Sequence, residues 1–474
     1  MNLHQLPATE MAEQVRRRQI SPTELVEAHL ARIERLNPKL NAFIELRMDE
    51  ALAEAKAAEK MVEKSDPLGP LHGVPISIKS AIGVAGLKFE CGSPTRAGLV
   101  AQQDAVLVQR LKKAGAIVLG NTNVPELLMA YHTDNPLYGR TNSPWDPERT
   151  PGGSSGGDAA AIAAGLCAAG IGSDGGGSIR VPAHFSGICG LKPTPGRIPI
   201  TGHWPESGGP FALLGVVGPM ARSVEDLSLL FRVIAGFDAG DPMATPIPLR
   251  ETSDEQLPKL TVGYLEEHAT APVTSETRAA VKAAVAALRD AGLRVEHFEP
   301  DVLNQAREHW WTLFVRLAAE MLAPEFKGRQ HETSAILTYS DHPPTKEELL
   351  AAWFGRDQLR LRLMQQMNRA PVLICPVCSI PAFRHAEREW IISGKRISYM
   401  DAMSYTQWFN LLGNPAVVLP AGSSSEGLPI GVQIVGQPNS EELILKVAGV
   451  VEQALAPAKQ SPMMTESSVS AVQP

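Results

Sequence analysis

Ten of the 26 residues from Gly152 to Gly177 are glycine. Glycine enlarges the unfolded ensemble and weakens helices and strands, so such a density needs a reason in a chain with a large core. The stretch reads Thr150-Pro151-Gly152-Gly153-Ser154-Ser155-Gly156-Gly157-Asp158, then an alanine-rich run, then Gly170-Ile171-Gly172-Ser173-Asp174-Gly175-Gly176-Gly177-Ser178-Ile179-Arg180. Close approach of the backbone to a ligand, with N–H groups turned towards it, accounts for two such loops. Ala159–Ala169 between them reads as a small-residue helix packed inside the fold. The plainer alternative is a pair of tight turns flanking a buried helix.

The rest of the chain supplies a frame for this region. Ser21-Pro22-Thr23-Glu24 has the form of a capping box with proline in the first turn, and Leu25, His29, Leu30, Ile33 and Leu36 follow at helical spacing. Short apolar runs at 74–79, 116–119, 260–265, 293–298, 371–375 and 430–435 read as strands. Helices are expected at 104–114, 274–291, within 301–324, at 345–370 and at 440–454, with Ser223 opening another. This alternation predicts an α/β fold, a single large domain whose central mixed, twisted β-sheet is covered by helices on both sides.

Composition narrows the function. Of 474 residues, 44 are Lys or Arg and 51 are Asp or Glu, and 44 − 51 gives a formal charge of −7. That balance offers no basic footprint for nucleic acid or an anionic membrane. The five cysteines are scattered and odd in number, too few for a disulfide framework. Cys375-Pro376-Val377-Cys378 lacks a second pair and reads as a buried strand end, and the histidines show no metal-ligand spacing. Met1–Arg18 has no apolar core, and no apolar run reaches the roughly 18 residues of a membrane span. The expected home is the cytoplasm.

Several motifs compete for the glycine-rich stretch. Gly170–Gly175 spells a dinucleotide fingerprint, but Pro182 falls where its helix must run. A phosphate loop needs Lys after Gly157, and Asp158 stands there. Gly153-Ser154-Ser155-Gly156-Gly157 fits the nucleophile elbow of an α/β-hydrolase centred on Ser155, yet a loop with Pro144, Pro147 and Pro151 precedes it instead of a strand. An esterase of that type, using Ser155 and a histidine, stays as an alternative.

The combination resembles the amidase signature family. The matching segments are Gly69–Lys79, Gly120–Glu126, Gly152–Gly157, Gly172–Arg180, Gly187–Thr194 and Gly427–Gln433, so the likeness spans nearly the whole chain. The resemblance implies a cofactor-free, metal-free hydrolase of linear amides. Ser178 would be the nucleophile, Ser154 a bridging serine after a cis peptide, and Lys79 the base. The backbone of Gly175, Gly176, Gly177 and Ser178 would form the oxyanion hole, with Ser155, Asp174 and Arg180 in support. Lysine can act as a base only if burial disfavours its charge, and Lys79 closes the apolar strand of Val74, Ile76 and Ile78. The same site could open carbamates (urethanes) or esters, since all three pass through an oxyanion.

Leu128, Met129 and Tyr131 are the expected pocket residues, with Trp310, Trp311, Phe314, Trp353 and Trp390 as aromatic candidates and Gly209–Leu214 hinting at an apolar pocket. Two departures from the family pattern stand out: Ser80 follows the lysine where Asp is common, and Gly175 stands where Thr is common. Gly209–Met220 lacks the pattern expected of the amidotransferase subunit that releases ammonia from glutamine, which favours a stand-alone enzyme over a partner-dependent one. The expected partners are water and a small amide, carbamate or ester. One domain is expected over 1–474: N-terminal helices at 1–65, a catalytic core at 66–240, a variable helical region at 241–400, a C-terminal core at 401–455 and a flexible tail at 456–474.

Overall fold

Ser21 accepts from the Glu24 N–H while the Glu24 carboxylate accepts from the Ser21 N–H, so the helix Pro22–Leu40 starts where its capping box predicts. Ser223 likewise caps the helix Val224–Ile234 by accepting from the Asp226 N–H. The computed structural model describes residues 2–206, 208–326, 343–455 and 459–465.

Thirteen strands are found among these residues: β1 Phe43–Leu46, β2 Pro75–Lys79, β3 Ile117–Thr122, β4 Ala169–Asp174, β5 Cys189–Lys192, β6 Val216–Ala221, β7 Thr261–Tyr264, β8 Arg294–His297, β9 Val372–Pro376, β10 Glu389–Ile392, β11 Lys395–Ser398, β12 Ala416–Ser423 and β13 Pro429–Gly436. Eleven form one sheet in the order β1-β3-β2-β4-β6-β5-β12-β13-β9-β7-β8, and β10 and β11 pair in a separate hairpin. The sheet is mixed: β2 runs parallel to β3 and β4, β7 runs parallel to β8 and β9, and the run from β4 through β6, β5, β12 and β13 to β9 is antiparallel. One core cluster packs helix Val224–Ile234 and helices Ser275–Asp290 and Glu441–Ala454 against the sheet. Another gathers helix Pro22–Leu40 and helix Gly156–Ala163. The expected mixed α/β architecture is the observed one.

The small-residue segment differs from its reading. Only Gly156–Ala163 is helical, and Ala169–Asp174 is a strand buried at every residue. Alanine and glycine carry little strand signal, and β4 owes its state to its neighbours β2 and β6. A helix, Arg180–Ser186, does follow the second loop: Pro182 sits in its first turn, where a missing N–H costs nothing. The dinucleotide reading therefore fails because Gly170 and Gly172 lie inside β4, not in a turn after it, and not because of the proline. Of the expected tail, residues 459–465 are folded. Arg32 Nε donates to the Ala164 carbonyl (2.7 Å) and its Nη2 to the Met464 carbonyl (3.2 Å), and Met464 is buried. The remainder, 456–458 and 466–474, lies outside the described residues.

Candidate active site

β2 presents two faces of opposite character. Ile76 and Ile78 join the core, whereas Ser77 and Lys79 point towards the first glycine loop and its helix. Lys79 Nζ donates to Ser154 Oγ (2.7 Å), Ser155 Oγ (2.9 Å) and the Ser173 carbonyl (3.2 Å). Burial pushes its pKa from 10.5 down to about 7, although the carboxylates of Asp158 and Asp174 favour the charged form. The Gly153–Ser154 peptide is cis. Ser155 is fully buried, and its Oγ also accepts from the Ser173 N–H (3.3 Å).

Asp158, read in the sequence only as a mismatch to a phosphate loop, anchors the frame around the lysine. It accepts from Ser77 Oγ (2.8 Å) and Thr122 Oγ1 (2.7 Å), tying β2 and β3 to the helix that follows Ser155. Burial raises its carboxyl to about 6, against the pull of those two hydroxyls.

Asp174 and Arg180 hold the second loop. Arg180 meets both carboxylate oxygens (Nη2–Oδ1 2.9 Å, Nε–Oδ2 3.0 Å), and the N–H groups of Gly177 (2.7 Å) and Ile179 (3.1 Å) donate to the same carboxylate. Burial alone would raise this carboxyl, but the guanidinium prevails and holds it well below the usual range. Gly177 therefore departs from its expected place in the oxyanion hole, because its N–H is committed to Asp174. Each loop carbonyl is also fixed from outside. Asn410 Nδ2 donates to the Asp174 carbonyl (3.2 Å) and Trp310 Nε1 to that of Gly175 (2.8 Å). Tyr131 Oη (2.9 Å) and Thr406 Oγ1 (2.7 Å) donate to Gly176, and the Val181 N–H (2.7 Å) donates to Gly177. In a planar peptide the N–H points opposite to the C=O, so these bonds fix the N–H groups of Gly175, Gly176 and Ser178. None of the three meets an acceptor among the described residues.

Ser178 lies where two lobes of a cleft meet, one of about 500 Å³ and one of about 570 Å³. The first is walled by Tyr131, Trp310, Trp311 and Tyr399; the second contains Ser154 and His203 among apolar side chains. Leu128, Met129 and Phe314 line both. Leu127 and Leu128 have φ of 51° and 66°, a left-handed pair that bulky residues take only where their surroundings enforce it. Of the aromatic candidates, Trp353 is on the surface and Trp390 packs on Phe383 away from the cleft. Cys375 and Cys378 are buried, free thiols.

Glycine serves two purposes here. A Cβ at Gly153 would lie 2.6 Å from the Ala130 carbonyl oxygen, so that glycine admits protein backbone, not ligand. At Gly175 a Cβ would overlap the Phe314 ring, so the departure from the family pattern is what admits Phe314 to the cleft. Trp310, Trp311 and Phe314, expected as aromatic candidates, do line the cleft, whereas Thr406, Asn410 and His203 gave no local signal, since each reaches the site from a distant segment. Only tertiary placement reveals them.

A family model described as Amidase matches residues 24–445. An acylamidase of Rhodococcus erythropolis is 34% identical over 95% of this chain and 96% of its own length. A glutamyl-tRNA(Gln) amidotransferase subunit from Geotalea daltonii is 32% identical over 96% of this chain and 98% of its own. The crystal structure of a bacterial aryl acylamidase superposes with a TM-score of 0.85 at 26% identity, over 96% of this chain and 97% of that one. The match takes in both glycine loops, the buried lysine and every strand of the sheet that carries them, and so the chain belongs to the amidase signature family.

Proposed function

We propose that this chain hydrolyses amides through an acyl-enzyme on Ser178, with Ser154 relaying protons between Ser178 and a neutral Lys79. The observation that carries the reading is Lys79 Nζ, wholly buried, 2.7 Å from Ser154 Oγ and with its pKa brought down to about 7. A neutral amine has two N–H groups and one lone pair. Ser155 Oγ and the Ser173 carbonyl take the two N–H groups, which leaves the lone pair for the Ser154 hydroxyl.

In the first step Ser154 passes its proton to Lys79 and takes the proton of Ser178, whose Oγ attacks the substrate carbonyl carbon. The oxyanion forms against the N–H groups of Gly175, Gly176 and Ser178, where one donor is typically worth about 2.7–4 kcal/mol. As the C–N bond breaks, the departing nitrogen takes a proton from Ser154, which Lys79 replenishes. Water then attacks the acyl-enzyme by the same relay and releases the acid. Ser155 holds the lysine, and Asp174 with Arg180 holds the loop.

Carbamates and esters fit the same sequence of steps, and the aromatic lobe suits aryl or long acyl groups. The test is a matched anilide, carbamate and ester given to wild type and Lys79→Ala. A poor leaving amine needs the returned proton and a phenolate does not, so anilide turnover is expected to collapse while ester turnover falls less. Anilide turnover unchanged by the substitution would overturn the relay.

A second reading rests on the likeness to amidotransferase subunits. Under it the isolated chain would turn over none of the three substrates and would need a partner to act.

A further inference from the structure

His203 lines the lobe that contains Ser154 and takes no part in the relay. Its Nδ1 lies 3.3 Å from the Pro205 carbonyl oxygen. A carbonyl oxygen can only accept, so Nδ1 carries the ring proton and Nε2 keeps a bare lone pair. That nitrogen is buried and meets no donor among the described residues. The main chain that carries the ring is fixed by its own hydrogen bonds. The His203 N–H donates to the Ile200 carbonyl (2.9 Å) and the Trp204 N–H to the Ala81 carbonyl (2.8 Å), and residue 203 bridges Ile82 just beyond β2. Burial, and after it the charge on Lys79, depress the imidazole pKa to about 3, so the ring stays a neutral acceptor at working pH.

On the relay proposed above, the two lobes would divide the substrate between them. Ser154 must deliver a proton to the departing nitrogen, and Ser154 belongs to the His203 lobe, whereas Trp310, Trp311 and Tyr399 wall the other. On the relay proposed above, the leaving amine therefore enters the His203 lobe and the acyl group the aromatic one. Two other acceptors there are already engaged: both Asp174 oxygens hold Arg180, and the Ser173 carbonyl holds Lys79. Ile200, Phe211, Val216 and Leu322 make the rest apolar.

We propose that His203 Nε2 accepts a hydrogen bond from the leaving-amine half of the substrate, and so selects amides whose amine is largely apolar but carries one O–H or N–H donor beyond the scissile nitrogen. A site with an unpaired buried acceptor discriminates against ligands that leave it unpaired.

The test holds the acyl group constant and measures kcat/KM for the anilide and for its ortho, meta and para hydroxy and methoxy forms. A methoxy group keeps the electronic effect and removes the donor. Wild type is expected to favour one hydroxy isomer over its methoxy partner about tenfold or more. His203→Phe should bring that ratio to near one, and His203→Gln, whose side-chain carbonyl can accept, should restore part of it. A wild-type ratio near one for every isomer overturns the proposal even if neither variant folds; so does a ratio that His203→Phe leaves intact. Hydrolysis of the unsubstituted anilide by wild type and its loss in Ser178→Ala report on the relay itself, whatever the ratio does.

Discussion

Lys79 sits between opposing influences: burial disfavours its charge, while Asp158 and Asp174 restore part of it, and the outcome is a pKa of about 7. On the proposed relay only the neutral amine is active. A plot of kcat/KM against pH should then rise through about 7 to a plateau on the alkaline side. Asp158→Asn removes one of the charges that favour the ammonium, so its acid limb should move to lower pH, and a limb that moves up or stays fixed would contradict the assignment. Ser154→Ala should cost roughly 10²–10⁴ in kcat, the usual worth of a positioned proton carrier, measurable with any chromogenic amide. The setting of Lys79, Ser154 and Ser178, in glycine loops and an apolar strand, is written locally, but the roles proposed for them came from the resemblance to the family. The setting of Asp158 was not legible in the sequence, because its two hydroxyl partners come from β2 and β3.

The glycine loop from Asp174 to Ser178 is shaped by its surroundings. Trp310, Thr406, Tyr131 and Asn410 bind its carbonyls, and Phe314 stacks on Trp310 with ring centres 5.5 Å apart. The turn Trp311–Arg316 is a π-helix inside the segment 303–322, a local widening often found at functional sites. Gly175→Ala would press on Phe314 and should lower stability by about 1–3 kcal/mol in denaturant unfolding, as overpacking does. Combined with Phe314→Leu, most of that loss should return, whereas strict additivity in the double-mutant cycle would show that the two positions do not touch. Strands with apolar β-branched runs, such as β2, β9 and β13, could be read from the chain alone. β4 could not, because Ala169–Asp174 is a strand by virtue of lying between β2 and β6.

Across the whole molecule, the buried lysine trades stability for chemistry. Between about pH 7 and its ordinary value of 10.5 the unfolded chain binds a proton on Lys79 that the folded chain does not. This group therefore makes stability rise with pH across that window, its unfavourable effect being full below about 7 and gone above 10.5. Lys79→Met should flatten that rise, seen as the difference in denaturation midpoint between variant and wild type shrinking from pH 7 to pH 10. A difference independent of pH would mean that Lys79 stays charged in the fold. The same architecture brings Ser178 and Ser154 to one lobe and leaves Ser155 buried beneath them. The most direct test is to quench the enzyme during turnover of an activated aryl ester and map the acylated peptide by mass spectrometry. The proposed chemistry predicts one acyl group on Ser178, absent in Ser178→Ala. Acylation of Ser155, or turnover that persists in Ser178→Ala, would contradict it.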